Sequence, residues 1–207
     1  MIELYTWGTP NGRKVSIMLE ECGLPYRLHK IDIGKGEQFA PEYLAINPNG
    51  KIPAIVDSEG PEGKPFKLFE SGAILVYLAG KSGRFLPPAL SDRYEALQWL
   101  MFQMGGVGPM FGQAHHFLRA AKEQLPYAVE RYTKEAQRLY GVMNGHLANR
   151  AFFAAEYSIA DMAIYPWVAR HEWHRVDLAG FANVRRWYDR VGARPAVQRG
   201  MAVPQTS

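Results

Sequence analysis

Asn49-Gly50-Lys51-Ile52-Pro53-Ala54-Ile55-Val56-Asp57, a Gly- and Pro-containing loop over 58–65, then Phe66-Lys67-Leu68-Phe69-Glu70-Ser71-Gly72 is the stretch that decides the fold. The dense turn signal Asn47-Pro48-Asn49-Gly50 precedes one short apolar run, and a polar loop separates it from a second, so the pair reads as a β-hairpin. Ser71-Gly72 then opens a run with Ile74, Leu75, Tyr77 and Leu78 at helical spacing. Upstream, Ile2 to Tyr5 reads as a strand. From Gly12 to Glu21 the apolar positions Val15, Met18, Leu19 and then Cys22 mark one face of a helix that stops at Gly23. Tyr26 to Ile33 forms a further strand and Pro41 to Ile46 a short helical turn. The order βαβαββα predicts a mixed four-stranded sheet with helices packed on it, over residues 1–81.

Beyond it the pattern changes. The run Ser82-Gly83-Arg84-Phe85-Leu86-Pro87-Pro88 reads as part of a linker, 82–92, leading to an all-helical part over 93–207. Helical patterns cover 92–118, 126–148, 159–176 and 183–193. Gly105-Gly106-Val107-Gly108-Pro109 must bend or break the first of them. Ser158-Ile159-Ala160-Asp161 has the form of a capping box, which gives Asp161 a structural role.

The 207 residues are 47% apolar, which excludes a disordered chain. No apolar run approaches the ~18 residues of a membrane helix, and Met1-Ile2-Glu3-Leu4 is not a leader, so the mature chain is expected to start at residue 1. The single cysteine excludes an internal disulfide framework, a CxxC pair and a cysteine zinc site, and makes the cytoplasm the expected compartment. Net charge is +4, with the excess beyond residue 80. The arginines there are scattered through amphipathic patterns, which fits solvated helix faces and no nucleic-acid partner. Adjacent His115 and His116 point ~100° apart on a helix, so no metal site is expected.

The α/β-then-helical layout, with Thr9-Pro10-Asn11 after the first strand, Lys51-Ile52-Pro53 before the third and Glu70-Ser71-Gly72 at the following helix, resembles the cytosolic glutathione transferase family over nearly the whole chain. Its first part is then a thioredoxin-like glutathione-binding domain and its second the family's all-α domain. The runs Thr9-Pro10-Asn11-Gly12, 32–39, 49–55, 69–74, 108–113 and His115-His116-Phe117 are similar to the bacterial Nu class. That likeness implies a glutathione-dependent disulfide-bond reductase with transferase side activity, a homodimer acting on a small disulfide or electrophilic substrate, with glutathione as cosubstrate. The alternatives are conventional conjugation of electrophiles and a non-catalytic binding protein of the same fold. Relatives commonly carry a glycine-containing turn where this chain has Arg150 to Ala155, a departure confined to one loop.

Proline after Lys51-Ile52 cannot serve a strand ladder, and a cis Ile52–Pro53 bond would leave the Ile52 backbone available to an extended peptide. The family pairs that residue with the cysteinyl part of glutathione. Ser71 at a helix start can cap the helix, bind a carboxylate with the free amides, or do both. Glu70 beside it would receive the γ-glutamyl ammonium, and Lys51 with Gln38 the glycyl end. Where many relatives place Tyr, Ser or Cys to activate the thiol, this chain offers Thr9 and Asn11, both hydrogen-bond donors. Asn11 could instead, or in addition, serve as the N-cap of the first helix. Arg131 matches an arginine that reaches glutathione across a dimer interface, and could equally pair with Glu135. Met110, Phe111, His115, His116 and Phe117 are candidates for a second, apolar substrate pocket. Cys22 lies about 16 Å along the helix from Asn11 and on its apolar stripe, so it reads as inert. Both electrons of a disulfide reduction would then pass through glutathione sulfur.

Overall fold

The computed structural model describes residues 1–205. The chain forms two compact units, one of Met1–Arg84 together with the segment from Arg194 onward, the other of Phe85–Ala193.

The first unit holds strands β1 (Ile2–Thr6), β2 (Tyr26–Lys30), β3 (Ala54–Asp57) and β4 (Phe66–Phe69), in the order β2-β1-β3-β4. β1 runs parallel to β2 and antiparallel to β3, and β4 closes the hairpin against β3. Helices α1 (Pro10–Cys22), α2 (Pro41–Leu44) and α3 (Ser71–Ser82) complete the predicted βαβαββα order. Alternation in β1 puts Ile2, Leu4 and Thr6 in the core, where they join Val15, Met18 and Leu19 of α1 and Ile74, Leu75 and Leu78 of α3. Both helices stop at a glycine in the left-handed region, Gly23 and Gly83. β2 ends at Lys30, three residues before the predicted end, because Asp32 turns the chain, its carboxylate accepting the Gly34 amide at 2.9 Å.

The second unit carries α4 (Leu90–Phe102), α5 (Gly108–His115), α6 (Pro126–His146), α7 (Ile159–Val168) and α8 (Ala182–Gly192). The break predicted at 105–109 is a π-helical turn over Gln103–Val107, a single wide turn that keeps the chain helical, and a second one follows at His116–Ala120. The predicted helix 159–176 ends as α-helix at Val168. Trp99, Phe111, Tyr140, Phe153 and Trp187 form the aromatic core. The capping box at Ser158 is present, and the fully buried Asp161 carboxylate also accepts the Phe153 amide at 3.1 Å and the Trp187 indole N–H at 2.8 Å.

The helical part was expected to run to 207. Instead α9 (Pro195–Met201) belongs to the first unit, packed on α1. Gly200 lies against Ile17 so closely that a Cβ there would sit 2.5 Å from the Ile17 Cα. The Ser16 hydroxyl donates to the Gly200 carbonyl at 2.7 Å, and Arg194 grips Glu21 with two bonds of 2.6 and 2.9 Å. No helix of the described residues is long and apolar enough to cross a membrane.

Candidate functional site

Register brings the predicted residues of the first unit to one end of the sheet. Tyr5 stands opposite Ala54, and Ala54 opposite Phe69. The exit of β1 toward Thr9 and Asn11, the entry to β3 through Ile52–Pro53 and the exit of β4 into Glu70 and Ser71 therefore share an edge. Thr6 pairs with Lys30 at the same end, where the chain leaves for the segment that holds Gln38.

Thr9 is extended and is the N-cap of α1, its hydroxyl accepting the Gly12 amide at 3.3 Å. Asn11, for which capping was the alternative role, is inside the first turn. The reason is Pro10, whose fixed φ suits the first helical position and makes the residue before it the cap. A hydroxyl that accepts from the backbone keeps its own proton to donate. Thr9 and Asn11 are both half-buried. Gly12 has no room for a side chain: a Cβ would collide with the Thr6 hydroxyl and the Trp7 carbonyl.

The Ile52–Pro53 bond is cis, and Ile52 stands outside the ladder, which begins at Ala54. The preceding loop is held by two residues that sequence reasoning missed. The Tyr43 hydroxyl and the Asn47 amide both donate to the Lys51 carbonyl, at 2.6 and 2.5 Å. Burial pushes the Tyr43 phenol up to about 12, so it stays a donor. Lys51 itself is exposed. Gln38 is half-buried, with its Oε1 buried and lacking a partner among the described residues. An orphan acceptor of that kind suits a peptide N–H.

Glu70 is an exposed non-glycine residue at φ 68°, a strained conformation costing ~1–3 kcal/mol that the surroundings must hold. It turns β4 into α3 and leaves Ser71 buried as the first residue of the helix. Beneath Ser71 lies Lys14 of α1, only 1% exposed, whose ammonium donates to the Ser71 hydroxyl at 3.1 Å. Burial pulls the Lys14 pKa down to about 7, against the pull of Glu70 in the opposite direction. Position 14 falls four residues before Met18 on the buried stripe of α1, and this spacing was the signal that could have found it.

Cys22 ends α1 at its far end from Asn11 and is half-buried. Its thiol meets the Ser82 hydroxyl at 3.3 Å, and burial raises its pKa. Such a thiol is a poor nucleophile. Among the described residues, no group of three or more His, Cys, Asp or Glu is placed to hold a metal.

In the second unit Arg131 is exposed on α6, in a groove of about 710 Å³ that Met110, Tyr127 and Tyr132 also line. The Glu135 carboxylate considered as its partner accepts two bonds of 2.7 Å from Arg138, and the Arg131 charge also favours that carboxylate's ionised form. Of the residues considered for an apolar pocket, Phe111 is fully buried and stacked on Tyr140 at 4.8 Å, so it is core. His115 lies against the Trp173 ring and Phe117 against Tyr132.

The chain is similar to known proteins over both of its parts. The family model for the glutathione S-transferase N-terminal domain matches residues 9–81, and that for the C-terminal domain residues 94–195. The chain is 52% identical over 207 residues to the disulfide-bond oxidoreductase YfcG of Escherichia coli strain K12, covering 99% of this chain and 96% of that protein. It is 42% identical to the disulfide-bond oxidoreductase YghU of the same organism, over 100% of this chain and 76% of the relative. A Pseudomonas putida glutathione transferase, crystallised with one glutathione disulfide per subunit, superposes with a TM-score of 0.94 at 49% identity, covering 98% and 91% of the two chains. A Burkholderia graminis glutathione transferase with two glutathione molecules per subunit gives 0.94 at 47% identity, covering 100% and 89%. A thioredoxin-like sheet, an all-helical second unit and matches that span both parts place this chain in the glutathione S-transferase family.

Proposed function

We propose that this protein is a glutathione-dependent disulfide-bond reductase with glutathione transferase side activity, working as a homodimer in the cytoplasm. The observation that carries the reading is Thr9. Its hydroxyl is fixed by the Gly12 amide with its proton to spare, at the sheet end where an extended peptide can pair with Ile52 and reach Ser71. The names of the two curated relatives and the glutathione species in the structural neighbours support the same chemistry.

In this reading the Ile52 backbone holds the cysteinyl residue, with the cis Pro53 shaping the turn. Ser71 and the α3 amides take the γ-glutamyl carboxylate, and Glu70 its ammonium. Lys51 and Gln38 serve the glycyl end. Thr9 and Asn11 donate to the sulfur and favour the thiolate. Lowering a thiol pKa from ~8.5 to about 6.5 takes ~2.7 kcal/mol, which two hydrogen bonds to a charged group supply. The thiolate attacks one sulfur of the substrate disulfide, forming a mixed disulfide and expelling one thiolate. A second glutathione thiolate attacks the glutathione sulfur of that mixed disulfide and expels the other. Two glutathiones become glutathione disulfide, and the substrate takes up two electrons and two protons. Arg131 serves the glutathione of the partner subunit.

The test compares the protein and its Asn11→Ala variant on hydroxyethyl disulfide and on an aryl halide. We expect faster turnover of the disulfide, a loss of that activity in the variant of ten-fold or more (about 10–100-fold) with its melting temperature nearly kept, and retention on immobilised glutathione that Ser71→Ala abolishes. A protein faster on the aryl halide is a conventional transferase, and one with neither activity is a binding protein. Either outcome defeats the reading.

A further inference from the structure

We propose that Lys14 is a positioning residue for the anionic end of the peptide substrate: it orients the Ser71 hydroxyl toward the incoming γ-glutamyl carboxylate and supplies the buried positive charge that balances it. The inference rests on the functional reading above and goes beyond it by naming a residue one layer beneath the binding surface.

A lysine is almost never fully buried without a partner, because desolvating an ammonium is costly. Lys14 is 1% exposed, and Ser71 is 4% exposed directly against it. In its ammonium form Lys14 can only donate, so in that form the 3.1 Å bond between them has the Ser71 oxygen as acceptor. The single hydroxyl proton of Ser71 therefore points away from Lys14. Ser71 also begins α3, so its hydroxyl proton, the first α3 amides and the ammonium behind them make up one positive locus. A pure packing role would be served better by methionine, which fills the same volume without the charge.

Glu70, the residue before α3, is the charge that favours the Lys14 ammonium. On α1, Arg13 is its neighbour in sequence. Arg194 before α9 and Arg199 on it are engaged by Glu21 and Glu20, near the other end of α1. Burial outweighs Glu70 and leaves Lys14 titrating at about 7. A carboxylate arriving at Ser71 restores the preference for the charged form. Binding should then draw a proton from solution at neutral pH.

Calorimetry of glutathione binding at pH 7, in two buffers of different ionisation heat, tests this. The unmodified protein should take up about half a proton on binding. Lys14→Met should weaken glutathione at least about tenfold and abolish the proton uptake, while affinity for an analogue lacking the γ-glutamyl carboxylate stays the same. Binding by Lys14→Met equal to the parent's overturns the inference and leaves the functional reading standing. Should that variant not fold, absence of proton uptake in the unmodified protein overturns it alone. A parent protein that does not bind glutathione at all defeats both.

Discussion

The Thr9 hydroxyl caps α1 by accepting the Gly12 amide at 3.3 Å, and Gly12 in turn sits so close to the Trp7 carbonyl that no other residue fits. One short turn therefore sets the start of the helix and holds the Thr9 oxygen, leaving its proton for a further acceptor. Thr9→Val keeps the shape and loses the hydroxyl. We expect it to cost ~1 kcal/mol of stability from the lost cap, and to lower disulfide turnover by about a hundredfold. Thr9→Ser should retain both properties. Thermal melts and steady-state rates on hydroxyethyl disulfide check the two effects separately.

Gly12→Ala places a methyl against backbone that cannot retreat without unwinding the cap. The expected penalty is about 1–3 kcal/mol or more, seen as a lower urea midpoint with an unchanged slope. An alanine variant as stable as the parent would show the turn to be softer than its contacts imply.

Lys14 carries a stability consequence opposite in sign to its binding role. Its folded pKa, about 7, lies below the usual lysine range, so between pH 7 and about 10.4 the unfolded chain holds a proton that the folded chain has released. Stability from this group rises with pH across that window, and below it the full cost of the buried ammonium is felt. Without glutathione, Lys14→Met should be more stable than the parent at pH 6 by about 1–4 kcal/mol, several degrees in melting temperature. A lower melting temperature for the variant at pH 6 would contradict the burial cost.

Asp161 titrates in the other direction. Burial pushes its carboxyl up to about 6 against the four hydrogen bonds that favour the charged form, from Trp187, Phe153 and the amide and hydroxyl of Ser158. Between about pH 4 and 6 the folded chain holds a proton that the unfolded chain releases, so this group's contribution falls as pH rises through that range. Asp161→Asn must point an N–H at groups that are themselves donors. We expect it to cost ~2–4 kcal/mol at pH 7, and about 1 kcal/mol more at pH 5. Denaturation at the two pH values measures the difference.

The first unit was legible because its strands are short and bounded by turn residues, and the hairpin around 58–65 forced the topology. Thr9, Asn11, Lys51, Ile52, Pro53, Glu70 and Ser71 drew attention because they sit at the turns that bound those strands. Three features were not legible. The cap is Thr9 and not Asn11 because Pro10 occupies the first helical position, a local rule that outranks the asparagine preference. Lys14 drew no reading from the sequence, because a lysine is seldom sought on a buried stripe even where its spacing places it there. The return of α9 to α1 depends on contacts between residues such as Ser16 and Gly200, far apart in sequence, and no periodicity records them. In the second unit, glycines that suggested a break produced a π-helical turn, since helical backbone tolerates one wide turn more readily than a break that exposes its amides.

The central claim is that Thr9 and Asn11 make the sulfur of bound glutathione anionic at neutral pH. Ultraviolet titration of the thiolate in the saturated complex tests it most directly. The account predicts ionisation near pH 6.5, about two pH units below the ~8.5 of an ordinary cysteine thiol, with the shift largely lost in Asn11→Ala. A bound thiol that ionises at the same pH as free glutathione would contradict it.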